Sequence, residues 1–165
     1  MILLPVKFDL NEWFILITLA LGYGIMFRLP PRFPKSVVIL VLLLSISIVK
    51  IVDVVWMQPP YDLYDVNDTP YYELFDFFTW FLYPPFAYFC VYVYDRQQLR
   101  GLSIVLYVVA SAIFSTAFEG LAVLCHVYTY KGWRFFYSFP VYITVITLTL
   151  AFFQYLKIYF KKPRT

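Results

Sequence analysis

Five ionisable residues of this chain stand inside or at the edge of long apolar stretches: Lys50, Asp53, Asp76, Glu119 and His126. In SIVKIVDVVW (47–56) the lysine and the aspartate are three positions apart. On a helix that spacing makes them neighbours, close enough to pair. Glu119 follows Ser111 and Ser115 at intervals of four, and His126 lies seven beyond it, so the four residues share one helical stripe. Two carboxylates and an ammonium in apolar surroundings can serve as acid, base and charge partner, or hold a polar ligand. Ionisable groups within membrane spans usually face a cavity or a partner. Each also has a reading without chemistry. Lys50 and Asp53 can neutralise each other, with the lysine stem reaching toward a headgroup. Glu119 has no opposite charge close by on its own helix and must pair across helices, take up a proton or bind something. His126 suits a polar end-cap better than a metal ligand.

The other routes to catalysis are thinly provided. There is no HExxH, CxxC, phosphate-binding glycine loop or GxSxG motif, and no nucleophile stands beside a recognisable base. One histidine cannot build a multi-His metal centre. Asp62, Asp65 and Asp68 are spaced by three, with Glu73 and Asp76 following. That loop lacks the glycine and ligand alternation of a calcium loop, so its acids are read as keeping it in water. No motif names a cofactor, and no basic run interleaved with aromatics offers a surface to nucleic acid.

The elements that must position these residues follow from composition. Hydrophobic residues make up 62% of the 165, charged residues 14%, and mean hydropathy is +0.74. A soluble chain carries about 25% charged residues, so this chain lacks the polar surface to stay in water. Tyr 16, Phe 18 and Trp 4 fit the same class, because Tyr and Trp suit the headgroup layer. The expected fold is all-α: one integral membrane domain over 1–165, with five helices at about 10–27, 36–57, 73–94, 102–126 and 139–156. The first is the weakest, since Asn11 and Glu12 interrupt it. It is expected to be retained, because MILLPVKFDLNEW has acids and a proline where a secretory signal needs a positive leader. Open sheet edges are not tolerated in lipid, so every span reads as helix. Pro84-Pro85 strips the carbonyls of Trp80 and Phe81 of their helical donors and predicts a kink in the third span.

Orientation follows the basic residues. With the N-terminus outside, Arg28, Arg32, Lys35, Arg96, Arg100, Lys157, Lys161, Lys162 and Arg164 lie inside, against Lys7, Lys131 and Arg134 outside. At 1.5 Å per residue, Lys50 then lies roughly 21 Å up its helix, and Asp53 and Glu119 roughly 25 Å up theirs. Asp76 falls in the first turn of the third span. The polar group therefore gathers in the outer third of the membrane. The same arithmetic puts Cys90 and Cys125 in opposite leaflets, too far apart for a disulfide. Ala112, Thr116 and Gly120 form a small-residue stripe that admits a neighbouring helix, either from a partner membrane protein or from a second copy.

KGWRFFYSFPVY (131–142), about a dozen residues after Glu119, and YDLYDVNDTPYYELFDFF (61–78) carry a resemblance. The chain resembles a family of small uncharacterised multi-pass membrane proteins of spore-forming Gram-positive bacteria. In that family a late helix bears a glutamate, and a short outer loop with an Asn-Gly-Trp-like element leads to a last helix and a basic tail. Glu119, Gly132 and Trp133 match, Lys131 stands where a small polar residue is expected, and Lys50 is not part of the pattern. The resemblance implies the architecture and no activity. Two functions are expected from the residues. The first is a non-catalytic binding or accessory subunit with a polar cluster in the outer leaflet. The alternative is an intramembrane enzyme or transporter using Glu119, Asp53 and Lys50 in an outward-facing pocket. The lack of a reacting group with its base favours the first.

Overall fold

A computed structural model describes residues 7–67 and 73–161. Asp68 of the acidic loop and Lys162 and Arg164 of the basic tail lie outside the described residues. The chain is a helical bundle in the order α1 (Leu10–Arg28), α2 (Lys35–Trp56), β1 (Tyr64–Val66), α3 (Leu74–Trp80), α4 (Tyr83–Arg96), α5 (Leu102–Leu124), β2 (Tyr128–Tyr130) and α6 (Phe135–Lys161). Five helical segments are long and apolar enough to cross a membrane, counting α3 and α4 as one segment from Leu74 to Arg96. Their outward faces carry Ile17, Leu43, Ile51, Leu106, Leu148 and Ile158, all exposed, as hydrocarbon-facing helices require.

Local chemistry sets the helix ends. At the start of α1, Glu12 reaches back to the Asp9 backbone N–H (2.8 Å), which satisfies a donor that a helix start leaves open. The two residues that weaken the first span in the sequence, Asn11 and Glu12, are therefore end-of-helix groups, both fully buried. The proline pair does more than kink the third span. The helix stops in tight turns, Phe81 N–H to Phe78 and Leu82 N–H to Thr79, and restarts with Pro84 and Pro85 in its first turn. There their missing N–H groups cost nothing. Two other boundaries move. α5 ends at Leu124, before a left-handed His126 (φ 60°), and α6 begins at Phe135, a turn earlier than Phe139. Pro140 stands inside α6 at its sixth residue, past the first turn, so the Phe136 carbonyl loses its helical donor there.

The buried face of α2 is a line of every fourth residue, Val37, Val41, Ser45, Val49 and Asp53. It packs on α4 and α6 around Val91, Ala112, Leu150 and Phe153. α1 packs on α3 and α4, where Met26 meets Tyr88 and Tyr92. The stripe Ala112, Thr116 and Gly120 is filled by the chain itself. Ala112 and Thr116 are buried, α6 lies along α5, and a Cβ on Gly120 would come within 3.2 Å of the Phe135 ring.

At one end of the bundle β1 and β2 pair antiparallel, Tyr64 opposite Tyr130 and Val66 opposite Tyr128. This two-stranded ribbon is absent from the sequence expectation, which has helices and loops alone. It lies outside the helices, where strand edges can be hydrated. Lys131 ties it down through Asp62 and Asp65 (2.9 Å each), and the N–H groups of Lys131, Gly132 and Trp133 converge on the Leu63 carbonyl. At the opposite end Asp95 takes Arg32 (2.6 Å) and Lys157, joining the α1–α2 turn, α4 and α6. Both cysteines are free thiols.

Candidate functional site

Beneath the ribbon lies a cavity of about 90 Å³. Its walls come from α2 (Val49, Asp53, Trp56), α5 (Glu119), the start of α4 (Tyr83), both strands (Tyr64, Tyr128, Tyr130) and α6 (Ser138, Tyr142). Strand alternation explains the ribbon's share. Tyr64 and Tyr130 point to the cavity face, while Asp65 turns the other way to meet Lys131.

Both carboxylates are held by hydroxyls. Asp53 Oδ1 accepts from Tyr64 (2.9 Å). Glu119 Oε1 accepts from Ser138 (2.6 Å) and, at very short range, from Tyr130. Trp133 Nε1 donates to Ser138 Oγ (2.9 Å), so the indole fixes the serine that fixes the glutamate. Tyr83 and Tyr128 share a hydrogen bond of 2.5 Å. Trp133 lies against Trp56 at 4.7 Å between ring centroids, closing one side. Burial is the main cause that pushes the Tyr64, Tyr128 and Tyr130 hydroxyls above the ordinary tyrosine range. The Asp53 charge adds to it for Tyr64, and the hydrogen bond to Glu119 for Tyr130. These phenols therefore keep their protons and act as donors, while the carboxylates accept.

The sequence-selected residues divide. Asp53 and Glu119, from helices far apart in the chain, line the same cavity. Lys50 does not line it. Its ammonium sits over the Trp80 ring, 3.5 Å from the centroid, where its charge acts on both Asp53 and Asp76. Asp76 is an organiser of the α3 start. It accepts the Asn67 amide (2.6 Å) and the Glu73 backbone N–H (2.8 Å), and it takes no part in the cavity wall. His126 is exposed at the turn after α5 and lines no part of the cavity either. Among the described residues no group of three or more His, Cys, Asp or Glu side chains is placed to hold a metal ion.

Sequence reasoning missed the aromatic wall. Tyr64, Tyr83, Tyr128, Tyr130 and Tyr142 look like ordinary interfacial tyrosines when taken singly. One signal was present: YTY at 128–130 repeats at a spacing of two, the period of a strand with one buried face.

Fold and site together define a class: a multi-pass helical bundle with an aromatic-walled cavity that holds two carboxylates under a tyrosine-rich ribbon. No family model, curated protein or solved structure matches the chain.

Proposed function

We propose that this is a non-catalytic binding protein of the cell membrane, whose cavity beneath the ribbon receives a small cation. The observation that carries the reading is that Asp53 and Glu119 line one cavity whose other walls are mostly aromatic. A carboxylate attracts a cation directly, and Tyr and Trp faces attract it through their ring quadrupoles, by about 2 kcal/mol or more where water is excluded. Size selects further. About 90 Å³ is the liquid volume of roughly three waters at about 30 Å³ each. That admits an ion or an ammonium headgroup rather than a whole drug-sized molecule, whose pockets run to about 300–1,000 Å³. Lys50 lies over Trp80, outside this wall, so the acid, base and charge-partner triad of an enzyme or transporter lacks its cation in the cavity. The nine-to-three basic bias supports the N-terminus outside and the C-terminus in the cytoplasm, which puts the ribbon and the cavity at the outer leaflet.

Calorimetric titration of the detergent-solubilised chain with tetramethylammonium chloride tests the proposal, with tert-butanol as the uncharged control. Saturable binding of the cation alone is expected, falling at least about tenfold in Glu119→Gln and in Asp53→Asn. No saturable heat, or equal binding by wild type and both variants, would overturn it.

A further inference from the structure

A second cavity of about 690 Å³ adjoins the first. The two share Val49, Tyr83, Tyr142 and Val145, so a wall one side chain thick separates them. The larger one is bounded by α1, α2, α4, α5 and α6 and is almost wholly apolar. Leu21, Ile25 and Phe114 stand at its edge and are exposed by 60%, 52% and 59%. Leu21 and Phe114 belong to the middle stretches of α1 and α5, with Ile25 one turn nearer the end of α1, so the cavity opens sideways between those helices, where the surroundings are hydrocarbon. Phe14 and Phe118 meet at 5.5 Å and close this mouth toward the ribbon end. Inside, Ser111 and Ser115 form a polar track on α5, and the next residue of that stripe is Glu119 in the smaller cavity.

We infer that the ligand is a single-chain cationic amphiphile taken from the bilayer, with its ammonium head at Asp53 and Glu119 and its hydrocarbon chain in the larger cavity. The inference rests on the cation reading of the smaller cavity and adds the chain. Three observations carry it: the shared wall, the lateral mouth and the volumes. A lateral mouth serves a molecule already dissolved in lipid. At 690 Å³ the larger cavity falls within the range of ligand sites, while the smaller holds a headgroup. Tyr83 and Tyr142 form the partition at which head and chain would part.

The test uses the full chain in nanodiscs, with tetramethylammonium and decyltrimethylammonium as probes. Fluorescence of Trp56 and Trp133, which flank the smaller cavity, reports the head. Wild type is expected to bind the decyl probe about tenfold or more tighter than Ser115→Phe does, while both bind tetramethylammonium alike. Ser111→Phe is the second cavity-filling variant and gives the same result. Partition of the probe into lipid is common to all samples and cancels. Glu119→Gln weakens both probes. If tetramethylammonium binds but the decyl probe binds wild type and both filled variants equally, the chain site is wrong and the cation site stands. If tetramethylammonium does not bind, the cation reading fails, and this inference with it.

Discussion

Glu119 allows its charge to be separated from its hydrogen bonds, because the Tyr130 and Ser138 hydroxyls both donate to the same oxygen, with the Tyr142 hydroxyl beside them. Tyr130 and Ser138 each meet Oε1. Glutamine keeps that oxygen as a carbonyl acceptor and replaces the other with an amide NH₂, which can donate to the facing Tyr142 hydroxyl. Glu119→Gln should therefore fold with a stability loss below about 1 kcal/mol, the loss being confined to the charge-assisted share of two hydrogen bonds. Glu119→Ala removes the acceptor and leaves two hydroxyls without it. An orphaned buried donor costs about 1–3 kcal/mol. Tyr130 and Ser138 border a cavity that water can enter, so the lower half of that range applies to each, about 2–4 kcal/mol in total. For a chain of this length about 1 kcal/mol moves the melting temperature by roughly 2–4 °C. Alanine should thus melt roughly 4–16 °C lower and glutamine within about 4 °C of wild type. Thermal melts in one detergent, followed by circular dichroism, make the comparison. If Gln melts as low as Ala, the charge itself holds the fold and Glu119 is not free to serve a ligand. If Ala melts with wild type, the hydrogen-bond pair assigned to Glu119 contributes nothing.

Removing the carboxylate at the opposite end, Asp95→Ala, cuts two charged contacts to side chains that are themselves 35% and 29% exposed. Rehydration of Arg32 and Lys157 limits the loss to about 2 kcal/mol, read as a drop of roughly 4–8 °C in the same melt. Gly22→Leu drives its Cβ to 3.2 Å from the rigid Pro85 ring and should cost about 1–3 kcal/mol. Gly24→Leu, with nothing within 4 Å of its Cβ, should change stability by less than about 0.5 kcal/mol, and equal melts for the two would refute the α1–α4 contact. Tyr64, Tyr128 and Tyr130 have folded-state values raised above the ordinary one, so their contribution is fully present below about pH 10 and is lost as pH rises past it. Melting temperature should hold level from about pH 7 to 9 and fall above about 10, with a shallower fall in Tyr130→Phe.

Much of the architecture was legible because apolar length is a strong signal. The runs that make α1, α2, α5 and α6 leave little room for another reading. Depth arithmetic likewise brought Asp53 and Glu119 to one level, and they do share a cavity. Depth does not say which way a side chain turns: Lys50 and Asp76 lie at much the same level, yet neither lines the cavity, and the Lys50 charge reaches Asp53 and Asp76 from over Trp80. Strands of three residues have too short a pattern to stand out, and pairing 64 with 130 is a long-range event that no local propensity encodes. Asp95 sits at the end of α4 beside Arg96 and Arg100, and nothing local marks it out. Its role follows from two cations arriving from distant segments, Arg32 and Lys157. The small-residue stripe marked a close helix approach, and composition cannot distinguish an intramolecular helix from a partner's.

The ribbon has a consequence for biogenesis. Tyr64 and Tyr130 face each other in the ribbon across a stretch of chain that includes α3, α4 and α5. Those helices must be threaded and turned before the second strand reaches the first. A nascent chain that stops after α4 has Asp53 and Tyr83 in place but lacks Glu119, Tyr128, Tyr130 and Ser138. The cavity is thus a late product of synthesis, complete only when α5, β2 and α6 have all followed. Two co-expressed fragments divided in the α4–α5 turn would each insert, and the roof over the cavity would form only where they met.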